Sequence, residues 1–159
     1  MKASYKKPIV ATLAIGVLLT SAVVWAQQAP KPETVIKWRQ SLFQVISWNA
    51  GRIKASVEGQ YNKDEVIKSA NAIAALANSG MGSLFPAGTE TGKGWHDTAV
   101  KPALFTNAPR VAELAGNFSK EANELAKVAQ TGDAAAVKDQ FGKLGRACKA
   151  CHDDFRNNP

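Results

Sequence analysis

Cys148-Lys149-Ala150-Cys151-His152 holds both cysteines and one of the two histidines of this 159-residue chain, close to its C-terminus. A C-x-x-C-H pentad is the attachment site of a c-type haem. The spacing suits that chemistry on a helix, where residues three and four apart share a face. Cys148, Cys151 and His152 could then address one flat ligand, the thiols bonding its vinyl groups and the imidazole reaching its iron. A structural disulfide, a redox dithiol and part of a zinc site are the competing uses. A redox dithiol is expected beside a βαβ pattern, which the sequence lacks. A zinc site needs about four ligands, and only His96 remains outside the pentad. With no spare cysteine to build anything else, the pentad points to haem c, one per chain.

A planar group of that size must be held by elements with apolar faces. The chain after Pro32 divides into four stretches of helical periodicity, with no sustained two-residue alternation. The first, about residues 33 to 58, carries Val35, Trp38, Leu42 and Val45 on one stripe and Phe43, Ile46, Ala50, Ile53 and Val57 on a neighbouring one. Two apolar faces predict two neighbours to bury against. The second, about 63 to 79, follows Asn62 or Lys63 with an acidic turn of Asp64 and Glu65, then presents Val66, Ala70, Ile73 and Ala77 before a stop at Gly80. The third, about 103 to 130, shows Val111, Leu114, Phe118, Ala122, Leu125 and Ala129, with Pro109 kinking or delaying its start.

The last stretch carries Val137, Phe141, Leu144, Cys148, Cys151 and Phe155 at alternating steps of four and three. That heptad-like stripe puts both cysteines on the core-facing side, so the haem is attached to the inside. Short first and third connections and a longer second one predict an all-α, antiparallel four-helix bundle with one covalently bound haem near the C-terminal helix. The glycine-rich loop from Gly80 to Asp97 has no preceding strand and no G-K-[ST] sequence, which argues against a phosphate cradle. It reads as a crossover that brings Phe85 or Trp95 near the cofactor.

Residues 1–26 have the form of a cleaved signal peptide, with Lys2, Lys6 and Lys7 ahead of an apolar run from Ile9 to Val24 and the small Ala26 at its end. The run falls short of the roughly 20 apolar residues of a membrane span. Residues 27–159 then form one exported domain, and export to the periplasm is what haem attachment in bacteria implies. All 13 acids lie beyond residue 26, so removing the three leader lysines lowers the formal balance from +7 to +4. No basic run with interleaved aromatics appears, which argues against a nucleic-acid partner.

A secreted four-helix chain with C-x-x-C-H near its C-terminus resembles cytochrome c', the class II c-type cytochromes. The strongest local signatures are Cys148 to Arg156 and Lys37-Trp38-Arg39-Gln40-Ser41, with Phe155 standing where the family often has tyrosine. A low-spin electron carrier needs a second strong iron ligand, and beyond the leader the sequence offers only Met81 and His96. In six-coordinate relatives the resemblance implies a methionine from the first helix, and here that helix has neither Met nor His. The position similar to the family's distal residue is Phe43, whose ring cannot coordinate iron.

The resemblance therefore implies a five-coordinate iron, with His152 axial and Phe43 over the opposite face. It further implies binding of small gases such as nitric oxide and carbon monoxide, with Arg156 on the proximal side. Arg39, Gln40 and Lys93 are the expected haem contacts. Met81 and His96 read as gap filling and a loop residue. Three functions compete: a non-catalytic gas-binding and electron-transferring haem protein, a six-coordinate low-spin electron carrier of the c-556 type, and an enzyme. A peroxidase would want a distal His and Arg pair on the first helix, and no His is there, so the expectation is not an enzyme. An unidentified periplasmic redox partner and a homodimer through the first two helices complete the picture that the resemblance implies.

Overall fold

The computed structural model of the chain describes residues 29–157, so the leader expected over residues 1–26 lies outside the described residues. Its elements are α1 (Pro32–Glu58), α2 (Lys63–Ala77), a 3-10 turn (Met81–Leu84), α3 (Ala103–Thr106), α4 (Ala108–Thr131) and α5 (Ala134–Phe155). The four long helices form an antiparallel bundle, and α3 is a single turn ahead of α4.

Local chemistry sets the helix ends. Asn62 caps α2 by accepting the Glu65 N–H at 3.1 Å, and Asp133 caps α5 by accepting from Ala135 and Ala136. Gly132 closes α4 with a left-handed φ of 78°, a conformation a Cβ would oppose. The second helix stops at Ala77 rather than 79, because the Asn78 side-chain amide competes for the Ala74 carbonyl, the Ser79 N–H tightens back to Leu76 at 3.2 Å and Gly80 turns left-handed at φ 79°. The third stretch is also shorter than expected. A Pro109 ring cannot follow a preceding helical turn without striking its carbonyl, so the chain breaks at Asn107, whose side chain caps a new helix.

The core joins Ile46 and Ile53 of α1, Val66, Ala70 and Ile73 of α2, Phe118, Ala122 and Leu125 of α4, and Val137 and Leu144 of α5. Each fully buried Ile, Leu or Val contributes roughly 1.5–3 kcal/mol. The two expected stripes of α1 fare differently. Ile46 and Ile53 are buried, but Trp38 and Val45 of the other stripe are 50% and 46% exposed. Val35 and Leu42 of that stripe do pack inward, so it is Trp38 and Val45 that stay uncovered among the described residues.

Alternating direction puts the start of α1, the end of α2, the start of α4 and the end of α5 at one end of the bundle, where the 78–107 crossover also lies. The Ser119 hydroxyl meets the Ala77 carbonyl there, and Arg110 pairs with Asp154 at 2.9 Å. α4 packs closely on α5 and α2, and α2 on α1, whereas α1 and α5 meet only sparsely. The loosely closed seam between α1 and α5 is flanked by the pentad. Among the described residues, no helix is long and apolar enough to cross a membrane.

Candidate haem site

The pentad occupies the last turns of α5, on the stripe whose Leu144 and Phe155 are buried. Cys148 and Cys151 are half-buried, free thiols. Burial pushes both thiols above the usual cysteine pKa, with Asp154 adding to the effect at Cys151. A redox dithiol needs the opposite shift, toward thiolate. Among the described residues, no three of His, Cys, Asp and Glu converge as a metal ion would need. His152 stands exposed beside the thiols. Desolvation by the packed chain, and then the Arg156 charge, hold its pKa below the ordinary histidine value, which favours the neutral imidazole that a metal needs.

Across the seam, α1 presents Arg39, Gln40 and Phe43 toward the crossover. Arg39 is 3% exposed. Its terminal nitrogens donate to the Leu84 carbonyl, the Thr89 hydroxyl and carbonyl, and the Thr98 hydroxyl, at 3.1, 3.1, 3.1 and 2.9 Å. Gln40 holds the next part of the loop, accepting the Trp95 N–H at 2.7 Å and donating to the His96 carbonyl at 2.9 Å. Gly94 makes this approach possible, since a Cβ there would meet the Gln40 amide oxygen and come within 2.9 Å of the Lys37 nitrogen. The Trp95 indole donates to the Ser41 hydroxyl at 2.8 Å, with the Lys37 ammonium 5.3 Å from its ring. Phe43 is 37% exposed, and its one aromatic neighbour among the described residues is Phe85.

The loop that Arg39 grips continues to α5. From Thr98 it is three residues, at most about 11 Å of chain, to Lys101, whose N–H bonds the Phe155 carbonyl. Arg39 and Gln40, and Phe43 by way of Phe85, are thus joined through the crossover to the end of α5 that carries the pentad. Arg156 lies one turn after His152, its backbone bridged to Val100. Lys93 is exposed and bridged to Asp97, out on the crossover. Met81 packs against the core. His96 is exposed, with its Nδ1 2.8 Å from the Asp97 carbonyl. Thr89, Thr98 and Val100 carry no motif, and only their partners 50 or more residues away reveal their part.

Free, half-buried thiols one turn apart, a neutral-leaning imidazole beside them and a loosely packed apolar seam together fit a covalently attached haem. The profile of the family described as Cytochrome C' matches residues 34–156. The chain belongs to the cytochrome c' family. A cytochrome c' of Rhodocyclus tenuis is 70% identical over 127 residues, spanning 79% of this chain and 96% of its own. A solved cytochrome c' with ligand-controlled dimer dissociation is 46% identical, with a TM-score of 0.79, over 82% of this chain and 100% of that one. A nitric oxide complex of a variant cytochrome c' from Alcaligenes xylosoxidans is 27% identical, with a TM-score of 0.73, over 83% and 100%. As in other cytochromes c', the cofactor is covalent haem c, and Cys148 and Cys151 are the two cysteines available to carry it.

Proposed function

We propose that this cytochrome c' is an exported, non-catalytic haem protein whose iron is five-coordinate, held by His152 on one face and covered without ligation by Phe43 on the other. It binds small neutral gases, nitric oxide and carbon monoxide, and can pass electrons to a periplasmic partner. The observation that carries this reading is the donor inventory of the facing helix. α1 contains neither Met nor His, Met81 is packed against the core, and His96 is held in the loop by Gln40 and Asp97.

Bound haem c supplies a redox-active iron with a free coordination position. The chain's own residues then select by exclusion. Phe43 offers no hydrogen bond, so polar dioxygen gains nothing from it, whereas nitric oxide or carbon monoxide can enter when the ring moves aside. Arg156 acts on the proximal side, where its charge already reaches the His152 imidazole. Gln40 and Lys93 are the proposed contacts at the haem edge. Arg39 joins them with its Nε–H, since its terminal nitrogens hold the loop. With no His on α1 and those Arg39 donors engaged, there is no distal acid–base pair for peroxide chemistry. The relative bound to nitric oxide supports the gas reading. The relative whose dimer dissociates under ligand control supports a homodimer, and the exposed Trp38, Val45 and Trp48 support α1, with α2 beside it, as the face. The apolar run after the basic start supports cleavage after residue 26 and a periplasmic location.

Visible and electron-paramagnetic spectra of the ferric protein, before and after nitric oxide, test the reading. A high-spin five-coordinate signal that changes with the gas is expected. A low-spin six-coordinate signal at neutral pH, abolished by Met81→Ala, would establish the electron-carrier alternative instead. Carbon monoxide affinity should rise in Phe43→Ala; an unchanged affinity would assign the ring to packing alone.

A further inference from the structure

We propose that Arg39 is a positioning residue that sets the orientation of the Phe43 ring through Phe85, and thereby how readily a small gas reaches the iron's open face. This rests on the five-coordinate reading above. Arg39 and Phe43 lie four residues apart and so share one face of α1. Phe85 touches both. The Arg39 Cζ stands 4.8 Å from the centre of the Phe85 ring, and Phe43 meets that ring edge-on, with centroids 6.4 Å apart at 63°.

Phe43 alone is a partly exposed side chain on a loosely packed seam, with room to change rotamer. Phe85 limits that room only if Phe85 is itself held. Arg39 holds it. The guanidinium is buried, and among the described residues it has no carboxylate partner within ion-pair distance. Its charge is compensated by four neutral acceptors on Leu84, Thr89 and Thr98. All four lie in the crossover, so displacing the loop would strand a buried cation, which is strongly unfavourable. The Thr89 hydroxyl donates in turn to the Pro86 carbonyl at 2.8 Å, closing the turn that follows Phe85. A planar fork is needed to reach acceptors on both sides of the loop, which a lysine ammonium cannot do.

The experiment measures carbon monoxide rebinding after flash photolysis of the ferrous protein in the natural sequence, Phe43→Ala, Phe85→Ala, the double variant and Arg39→Lys. Phe85→Leu serves where Phe85→Ala folds poorly, because it keeps apolar volume while losing the ring edge. Phe43→Ala and Phe85→Ala should each raise the association rate, and the double variant should fall at least about threefold short of the product of the two effects. Arg39→Lys should raise the rate less than Phe85→Ala. A second readout is the fluorine NMR spectrum of protein labelled with para-fluorophenylalanine. The resonance identified as Phe43 by its loss in Phe43→Leu should shift or broaden in Phe85→Ala and in Arg39→Lys. Multiplicative rates, or an unmoved Phe43 resonance in a protein with a five-coordinate spectrum, overturn the relay and leave the coordination reading standing. A low-spin six-coordinate ferric spectrum overturns both.

Discussion

Lys101 donates its backbone N–H to the Phe155 carbonyl at 2.8 Å, tying the end of the crossover to the chain just beyond the haem-binding pentad. Asn157 returns the bond to Ala99 at 2.8 Å, so Val100 and Arg156 face each other as an antiparallel bridge. The Lys101 ammonium adds a contact to the Asp153 carbonyl at 2.8 Å. Helix ends leave their last carbonyls without intrahelical donors, and this latch supplies donors to those of Asp153 and Phe155.

Lys101→Pro removes the central donor and should cost about 1–3 kcal/mol, because the carbonyl of the buried Phe155 loses its partner. Urea unfolding of the ferric protein measures the loss. A change within the error of the extrapolation would mean that α5 ends without needing the latch.

Tyr61 buries its hydroxyl without a hydrogen-bond partner among the described residues. Desolvation, and then the Asp133 charge, raise its pKa above the ordinary 10.0. The folded chain therefore keeps this proton to higher pH than the unfolded chain does. The associated stability is constant below the unfolded value and falls as pH rises from there through the higher folded one. Tyr61→Phe should be neutral or slightly stabilising at pH 7 and should retain more stability than the natural sequence in strongly alkaline solution. Melting curves across that range decide it, and parallel alkaline losses in both proteins would count against the effect.

Trp38, Val45 and Trp48 stand exposed along one face of α1, Trp48 at 62% with Arg52 laid 4.6 Å from its ring. A contiguous apolar face of this kind suits a second copy of the chain. Sedimentation velocity should find a dimer for the natural sequence at micromolar concentration and a monomer for Val45→Asp, with unchanged haem spectra. A natural protein that sediments as a monomer would remove α1 from any interface.

Asp133 accepts two N–H groups at the start of α5, from Ala135 at 2.9 Å and Ala136 at 3.1 Å. Asp133→Ala should cost about 1 kcal/mol, and Asp133→Asn only a small part of that, because the amide oxygen caps nearly as well. Thermal unfolding of both variants separates a cap from a charge effect, which would penalise them equally.

The cysteine spacing that suits haem attachment and the four helices are both legible in the chain's local residues. Both are local, since Cys148 to His152 lie within five residues and Val137, Leu144 and Phe155 repeat at helical spacing. Local rules also place a kink or delay at Pro109 and a helix start at Asn62 or Lys63, and the structure selects the delay and Asn62. They could not say which α1 stripe has a neighbour, so Trp38 and Val45 looked like core and emerged at the surface. Nor could they tell that Arg39, legible only through its resemblance to a haem contact, grips Thr89 and Thr98 at separations of 50 and 59 residues. Tertiary structure alone decided those contacts and the Val100–Arg156 latch. A hydrogen bond between irregular segments leaves no periodicity behind; it exists only once the bundle has brought its ends together.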